Sequence, residues 1–134
     1  MVGVVVASHG KLGEELIRTA EGVIGALPSV EGVAVSAAEP DSRRLIAEAI
    51  AKVDEGEGVL LLTDLFGGSP TQLCLSFLAD RKVEVVTGVN LPMVLKAISL
   101  RRESLPIGEM AAQLAESARK SIGHASLELR KAMQ

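Results

Sequence analysis

Short runs of aliphatic residues alternate along this chain with longer segments in which apolar residues recur every three or four positions. The most constraining run is Val59 to Thr63, because a stretch with almost no polar residue is typical of a strand buried on both faces. Gly3 to Ala7, Gly32 to Ser36 and Val83 to Thr87 have the same character. Strands of this kind, when helical segments separate them, form a parallel sheet covered by helices on both faces. We therefore predict an α/β fold with an open, mainly parallel sheet.

The segments between the predicted strands carry helix signals. Leu12 to Leu27 has an apolar stripe at helical spacing, and Pro28 blocks its continuation. Ser69, followed by a proline and then by Gln72, predicts a capping box with Ser69 as the capping residue. Further helix starts are marked by a proline or a capping residue at Pro40-Asp41-Ser42, Asn90-Leu91-Pro92 and Pro106.

The last segment of the sequence fits two structures. Apolar and polar residues alternate from Ala125 to Arg130, as in a short edge strand, whereas the spacing of Leu129 and Met133 also fits a helix. No repeat, low-complexity stretch or long linker divides the sequence. We expect residues 1–134 to form a single domain.

The composition excludes several classes of function. A chain of 134 residues with 48% hydrophobic residues is able to bury a core without disulfides or metal. A net charge of −3 and only two aromatic residues provide neither the basic surface nor the stacking platform that nucleic acids require. One cysteine and two histidines cannot supply a closed four-ligand zinc site, so we expect no metal.

The sequence also carries no targeting signal. It begins without a basic region, and no apolar stretch approaches the roughly 18 to 20 residues of a membrane span, so we expect a soluble, cytoplasmic protein. Neither a Gly-x-x-x-x-Gly-Lys loop nor a Gly-x-Ser-x-Gly elbow occurs, and Ser8-x-Gly10-x-x-Gly13 is an incomplete dinucleotide fingerprint. We therefore expect no cofactor.

In open parallel sheets, ligands bind beyond the carboxyl ends of the strands. The residues at these ends are Ser8-His9-Gly10, Asp64-Leu65-Phe66-Gly67-Gly68-Ser69 and Gly88-Val89-Asn90, while Ala37, Ala38 and Glu39 after the second strand suggest no chemistry. If the first and third strands are neighbours, His9 and Asp64 reach one pocket.

His9 and Asp64 together suggest a nucleophilic imidazole. Such a ring needs one nitrogen free to attack and the other donating to an acceptor, and a carboxylate provides that acceptor. Each residue taken alone also fits a local structural role. The pair therefore carries the hypothesis, with His9 as nucleophile and Asp64 as its orienting group.

The glycine-rich loop suggests a place for an anion. Gly67 and Gly68 let the backbone approach a ligand, and a helix that starts at Ser69 directs unpaired amides toward it. A plain turn followed by a capping box fits the same residues, and Gly10 allows both interpretations at the first helix. Asn90 fits a helix cap better than a ligand group.

These loops resemble the IIA component of the mannose (mannose-fructose-sorbose) family of the bacterial phosphoenolpyruvate-dependent sugar phosphotransferase system. Three separated motifs in the family's order carry the resemblance: Gly3-Val4-Val5-Val6-Ala7-Ser8-His9-Gly10, Leu62-Thr63-Asp64-Leu65-Phe66-Gly67-Gly68-Ser69-Pro70 and Thr87-Gly88-Val89-Asn90-Leu91-Pro92-Met93. The likeness extends from Met1 to about Ile122. Phe66 departs from it, since tryptophan is frequent at that place.

The resemblance implies a parallel sheet of strand order 2-1-3-4 and a phosphoryl carrier without metal or nucleotide. His9 would accept a phosphoryl group from the phosphohistidine of the carrier HPr and pass it to a IIB component. Asp64 would orient the ring, while Ser69 and loop amides, with Gly10, Gly67 and Gly68 as candidates, would hold phosphoryl oxygens. The partner-facing rim would consist of Leu65, Phe66, Asn90, Leu91 and Met93.

The resemblance also implies a homodimer in which a C-terminal strand, here Ala125 to Arg130, is exchanged to lie antiparallel against the partner. Because the sequence ends at Gln134, we expect the IIB component on a separate chain, with membrane IIC and IID components as further associates. Two alternatives stay open: a regulatory module of the same fold that acts by protein binding, and a phosphoryl donor to dihydroxyacetone kinase.

Overall fold

A computed structural model describes residues 1–36 and 40–134 of the chain. The residues at 37–39, for which the sequence suggests no chemistry, lie outside the described residues. The elements, in chain order, are β1 Gly3–His9, α1 Leu12–Ile24, β2 Val30–Val35, α2 Ser42–Val53, β3 Val59–Thr63, α3 Ser69–Leu75, β4 Val83–Thr87, α4 Leu91–Leu100, a 3-10 turn Arg101–Glu103, α5 Ile107–Lys120 and α6 Ala125–Ala132.

The four strands form one parallel sheet in the order β2-β1-β3-β4, which confirms the predicted architecture. Ala7 pairs with Thr63 across β1 and β3, so these two central strands end at the same edge of the sheet. The helices that follow these two strands, α1 and α3, pack on opposite faces of the sheet, which leaves a crevice at this edge. His9 and Asp64 both emerge there.

Side chains of the central strands alternate between two apolar layers. Val4, Val6, Leu60 and Leu62 pack with side chains of α1, α4 and α5 on one face. Val5, Ala7, Val59 and Leu61 pack with side chains of α2 and α3 and with Phe77 on the other. Because both faces are covered, a polar residue in these strands would lose water on either side, which explains their aliphatic sequences.

The predicted bounds are right for two strands and wrong for the other two. Both β3 and β4 have the predicted bounds, whereas β1 continues past the predicted end at Ala7 to His9 and β2 is Val30–Val35 instead of Gly32 to Ser36. The helix α1 ends at Ile24 instead of Leu27, with Gly25 at its C-cap. The predicted capping role of Ser69 is wrong, because α3 begins at Ser69 and Gly68 occupies the N-cap position. Gly68 has an extended backbone there, and the capping box therefore does not form as the sequence pattern suggests.

The C-terminal segment is a helix and not a strand. Residues Ala125–Ala132 form α6, and the helical spacing of Leu129 and Met133 is the pattern that this chain follows. The edge strand from Ala125 to Arg130, exchanged in a dimer, is not observed in the single chain and stays a prediction. An edge strand needs a neighbour for its backbone groups, and in this chain the segment satisfies them within its own helix. Nowhere in residues 1–36 and 40–134 is a helix long and apolar enough to cross a membrane.

Candidate functional site

His9 and Asp64 form a hydrogen-bonded pair at the carboxyl edge of β1 and β3. The ring Nδ1 of His9 lies 2.8 Å from Oδ2 of Asp64, and the backbone N–H of His9 donates to the same oxygen at 2.9 Å. The other carboxylate oxygen, Oδ1, accepts from the N–H of Leu65 at 3.0 Å. The structure thus brings together two residues that are 55 positions apart in the sequence.

The carboxylate is enclosed while the ring is open to solvent. The Asp64 side chain is 9% exposed and that of His9 is 51% exposed. Burial by itself would raise the pKa of Asp64, but hydrogen bonds from the backbone and the ring of His9 outweigh burial and lower this pKa. Asp64 is therefore ionised and acts as an acceptor only.

An ionised acceptor fixes the proton on the ring. Because Asp64 can only accept, Nδ1 of His9 carries the hydrogen, and in the neutral ring the lone pair resides on Nε2. Nδ1 is thereby occupied, and Nε2 is the nitrogen that is able to attack an electrophile. This is the division of roles that a nucleophilic imidazole requires.

A tight turn connects β1 with α1 directly after His9. Gly10 has a φ of 55°, in the left-handed region that glycine adopts without strain, and its N–H donates to the carbonyl of Val35. The buried hydroxyl of Ser8 accepts from the N–H of Gly13 at 2.7 Å and donates to the carbonyl of Gly10. The turn therefore has a structural function that accounts for Gly10.

The loop after β3 folds against the His9 ring. Gly67 has a φ of 89° and serves the turn. A Cβ at Gly68 would lie 2.8 Å from Cε1 and 3.4 Å from Nε2 of His9, so only a glycine allows this approach without displacing the ring. Ser69 is exposed at the first position of α3, near the ring-facing glycine.

Two buried hydroxyl groups lie beneath this loop. Oγ1 of Thr63 and Oγ1 of Thr71 are 2.7 Å apart, and Thr71 donates to the carbonyl of Leu65 at 2.6 Å. The sequence interpretation missed Thr71, which belonged to an ordinary helix start in that interpretation. No spacing pattern links Thr71 in α3 with Thr63 in β3, and the side chains of both threonines are buried.

The predicted rim is present only in part. Leu65 and Phe66 are exposed beside the pair, and Phe66 is 81% exposed. Leu91 is half-buried, and Asn90 caps α4 by accepting from the N–H of Met93 at 2.9 Å. Met93 is wrong as a rim residue, because it is 2% exposed and packs in the core.

The site contains no second cluster of ligating residues in the described part of the chain. Across residues 1–36 and 40–134, no group of three or more His, Cys, Asp or Glu side chains is arranged to hold a metal ion. Burial raises the pKa of the Cys74 thiol to about 12, so this cysteine is a core residue and not a nucleophile.

Comparisons with known proteins indicate the family to which the chain is similar. The family EIIA-man, described as "PTS system fructose IIA component", matches residues 3–115. The chain is 30% identical over 125 residues to the "PTS system mannose-specific EIIAB component" of Escherichia coli (strain K12), a match that covers 90% of this chain and 38% of that protein. The chain thus spans well under half the length of that relative.

Two further proteins match over nearly their whole length. The "PTS system fructose-specific EIIA component" of Bacillus subtilis (strain 168) is 28% identical over 138 residues, covering 98% of this chain and 91% of that protein. The crystal structure of phosphotransferase system component EIIA from Streptococcus agalactiae has the same fold, with a TM-score of 0.85 at 22% identity over 95% of this chain and 99% of that one.

Proposed function

The chain belongs to the family of fructose and mannose IIA components of the sugar phosphotransferase system, and we propose that it carries a phosphoryl group on Nε2 of His9. The observation that supports this most directly is the 2.8 Å contact between Nδ1 of His9 and Oδ2 of Asp64. This contact leaves Nε2 with the lone pair on a ring that is half exposed to other proteins.

In the proposed reaction, the lone pair of Nε2 attacks the phosphorus atom of a phosphohistidine on the donor protein. A new N–P bond forms at His9 while the N–P bond of the donor breaks. Its electron pair returns to the donor imidazole, which leaves as a neutral ring because its other nitrogen carries a proton. Neither a redox step nor a net proton transfer is needed. The same step in reverse, with a different partner, passes the phosphoryl group on.

The residues around the ring have distinct roles in this proposal. Asp64 keeps its hydrogen bond with Nδ1–H and compensates the positive charge that the ring gains when Nε2 is bonded. Gly68 leaves room at Nε2, and the exposed Ser69 hydroxyl and the amides at Gly67 and Gly68 are candidates to bind phosphoryl oxygens. Gly10 contributes through the turn that carries His9.

Partners would dock on the exposed ring and on the apolar side chains beside it. Leu65 and Phe66 are exposed at the site, so a protein surface is able to cover them and exclude water from the reaction. We infer HPr as donor and a IIB component as acceptor. In this role, residues 1–134 act as one carrier domain that never contacts the sugar.

The test is phosphoryl transfer from radiolabelled phosphoenolpyruvate through enzyme I and HPr. We expect one acid-labile phosphoryl group per chain on the wild-type protein and none on His9→Gln, which removes the nucleophile from a solvent-exposed position. His124→Gln is the matched control, because it removes the other histidine and is expected to leave labelling unchanged. Labelling that persists in His9→Gln would overturn the proposal.

A second stage of the same assay identifies the acceptor. The labelled protein is isolated and mixed with a purified IIB component, and loss of label from His9 with its appearance on IIB is the expected result. Label that stays on His9 in the presence of IIB would contradict the transport role.

A further inference from the structure

We propose that Thr71 is a positioning residue that holds Asp64 in place through a buried chain of hydroxyl groups, an inference that rests on the proposed function. The side-chain hydrogen bonds of Thr71 go to Thr63 and to Leu65, and within the described residues none goes to the His9 ring or to the Asp64 carboxylate. It lies one layer below them, at the third residue of α3, and its side chain is 1% exposed.

The direction of the hydrogen bonds follows from the number of protons. A threonine hydroxyl has one hydrogen, and that of Thr71 is donated to the carbonyl of Leu65 at 2.6 Å. The 2.7 Å contact between the two hydroxyls therefore uses the hydrogen of Thr63 and a lone pair of Thr71. This series of hydrogen bonds runs from Thr63 through Thr71 to Leu65, and each hydrogen bond polarises the next.

The two ends of this series are the residues on either side of Asp64. Thr63 precedes Asp64 and Leu65 follows it, so both flanking residues are tied to the same hydroxyl on α3. The carbonyl of Thr63 also accepts from the N–H of Val89 at 2.8 Å, which fixes the end of β3 from the other side. Asp64 is thus left with little freedom of its backbone.

The hydrogen bond from Thr71 constrains the Asp64 carboxylate through Leu65. Oδ1 of Asp64 accepts from the N–H of Leu65, whose carbonyl is the one that Thr71 holds. The N–H and the carbonyl of Leu65 belong to consecutive peptide groups that meet at its Cα. A displacement of Leu65 on loss of the bond from Thr71 would therefore move that N–H and with it the carboxylate, and would separate Oδ2 from Nδ1 of His9. Displacements of about 1 Å at a reacting group are able to cost on the order of 10²-fold in rate.

The hydrogen bonds of the two threonine hydroxyl groups are separable from the packing of their side chains. Both hydroxyls are fully buried, and a valine of nearly the same shape would fill either position. Removing the Thr71 hydroxyl leaves the Leu65 carbonyl and the Thr63 hydroxyl without their partner, whereas removing the Thr63 hydroxyl leaves the bond from Thr71 to Leu65 intact. Valine variants at positions 63 and 71 therefore differ in whether the hydrogen bond to the Leu65 carbonyl is kept.

The experiment measures the rate of phosphoryl transfer from phospho-HPr to His9 in Thr71→Val, Thr71→Ser and Thr63→Val. We expect Thr71→Val to be slowed by about 10-fold or more, Thr63→Val to be slowed less, and Thr71→Ser to be close to wild type because its hydroxyl restores the bond to Leu65. Cys74→Ala is the control for buried packing on the same helix, with lower thermal stability and an unchanged rate as the expected result.

A double-mutant cycle separates positioning of Asp64 from a general loss of structure. In the Asp64→Asn background, we expect Thr71→Val to have little further effect on the rate, because the group that it positions is already lost. Full additivity in this cycle, or equal rates for Thr71→Val and wild type, would overturn the inference. A wild-type protein that is not labelled, or labelling without His9, would instead overturn the proposed function.

Discussion

At the scale of single residues, the two nitrogen atoms of His9 have opposite surroundings. Nδ1 faces an enclosed carboxylate, while the ring edge formed by Cε1 and Nε2 lies beside Gly68. The first contact sets the tautomer of the ring and the second sets the space at the nitrogen that reacts. A methyl group at position 68 tests the second contact without touching the first.

We expect Gly68→Ala to slow phosphorylation of His9 by about 10-fold or more, because the new Cβ would lie 2.8 Å from Cε1 and push the ring from its position. Gly68 has a φ of −80° and a ψ of 169°, which alanine adopts without strain, so the fold is expected to persist. Transfer kinetics together with circular dichroism check this. A variant that is folded and reacts at the wild-type rate would show that the ring has room to move.

The lowered pKa of Asp64 has a consequence for the dependence on pH. A pKa below the value in the unfolded chain means that the ionised carboxylate stabilises the folded protein. That contribution is fully present above the ordinary aspartate value and is lost as the pH falls through the lowered pKa of the folded state.

We expect the ¹³C signal of the Asp64 carboxyl to titrate with a midpoint below that of an ordinary aspartate. In His9→Ala the midpoint should rise, because the hydrogen bond from the ring, one of the causes of the lowered pKa, is gone. A midpoint for Asp64 at or above the ordinary aspartate value would contradict the hydrogen-bond geometry.

The sequence was sufficient for contacts that follow from the order of the strands and insufficient for contacts that depend on the path of a loop. The contact between His9 and Asp64 was predictable because both residues stand at the carboxyl ends of neighbouring strands. Thr71 was not, because its partner carbonyl at Leu65 belongs to a loop whose path no sequence pattern specifies. Met93 was predicted in the rim because it follows the fourth strand closely, but its side chain on α4 points into the core.

At the scale of elements, burial on both faces made the strands predictable. Each side chain of β3 is buried, so its bounds coincide with the aliphatic run in the sequence. The end of α1 and the structure of α6 depend instead on weak local preferences, and α6 buries none of its residues in this described segment. In a segment without tertiary contacts, the same few apolar residues fit both the alternation of a strand and the spacing of a helix, so the sequence does not predict which one forms.

The contact between α1 and β1 positions the turn that carries His9, and Gly13 is the place of closest approach. A Cβ at Gly13 would lie 2.8 Å from the carbonyl oxygen of Val6 and 3.2 Å from Oγ of Ser8. We expect Gly13→Ala to destabilise the fold by roughly 1–3 kcal/mol, as overpacking does, because the strand backbone cannot yield.

Gly22→Ala in the same helix is the matched control for that prediction. Nothing lies within 4 Å of a Cβ at Gly22, so we expect a gain of about 0.5–1 kcal/mol from helix propensity alone. Urea denaturation of both variants measures the difference. Equal stabilities for the two alanine variants would contradict the close packing of α1 on β1.

At the scale of the whole molecule, the sheet lies between the two apolar layers and the His9–Asp64 pair lies at its carboxyl edge. The two layers cover both faces of β1 and β3, and His9 and Asp64 lie where these strands end. Polar chemistry is thereby confined to one edge, where it does not disturb the core. The C-terminal helix α6 takes part in neither layer.

A chain that ends after Ile122 therefore tests how far the molecule depends on its C-terminal segment. Since no residue of the described helix α6 is buried, we expect its removal to change the free energy of unfolding by less than about 0.5 kcal/mol and to leave phosphorylation of His9 unchanged. Leu114→Ala is the control for a buried residue, with an expected cost of about 2–5 kcal/mol because its side chain is fully buried in α5. Chemical denaturation at several protein concentrations measures both. If a second copy covers residues 123–134, the stability of the full chain will rise with concentration and that rise will disappear on truncation, which would contradict the prediction.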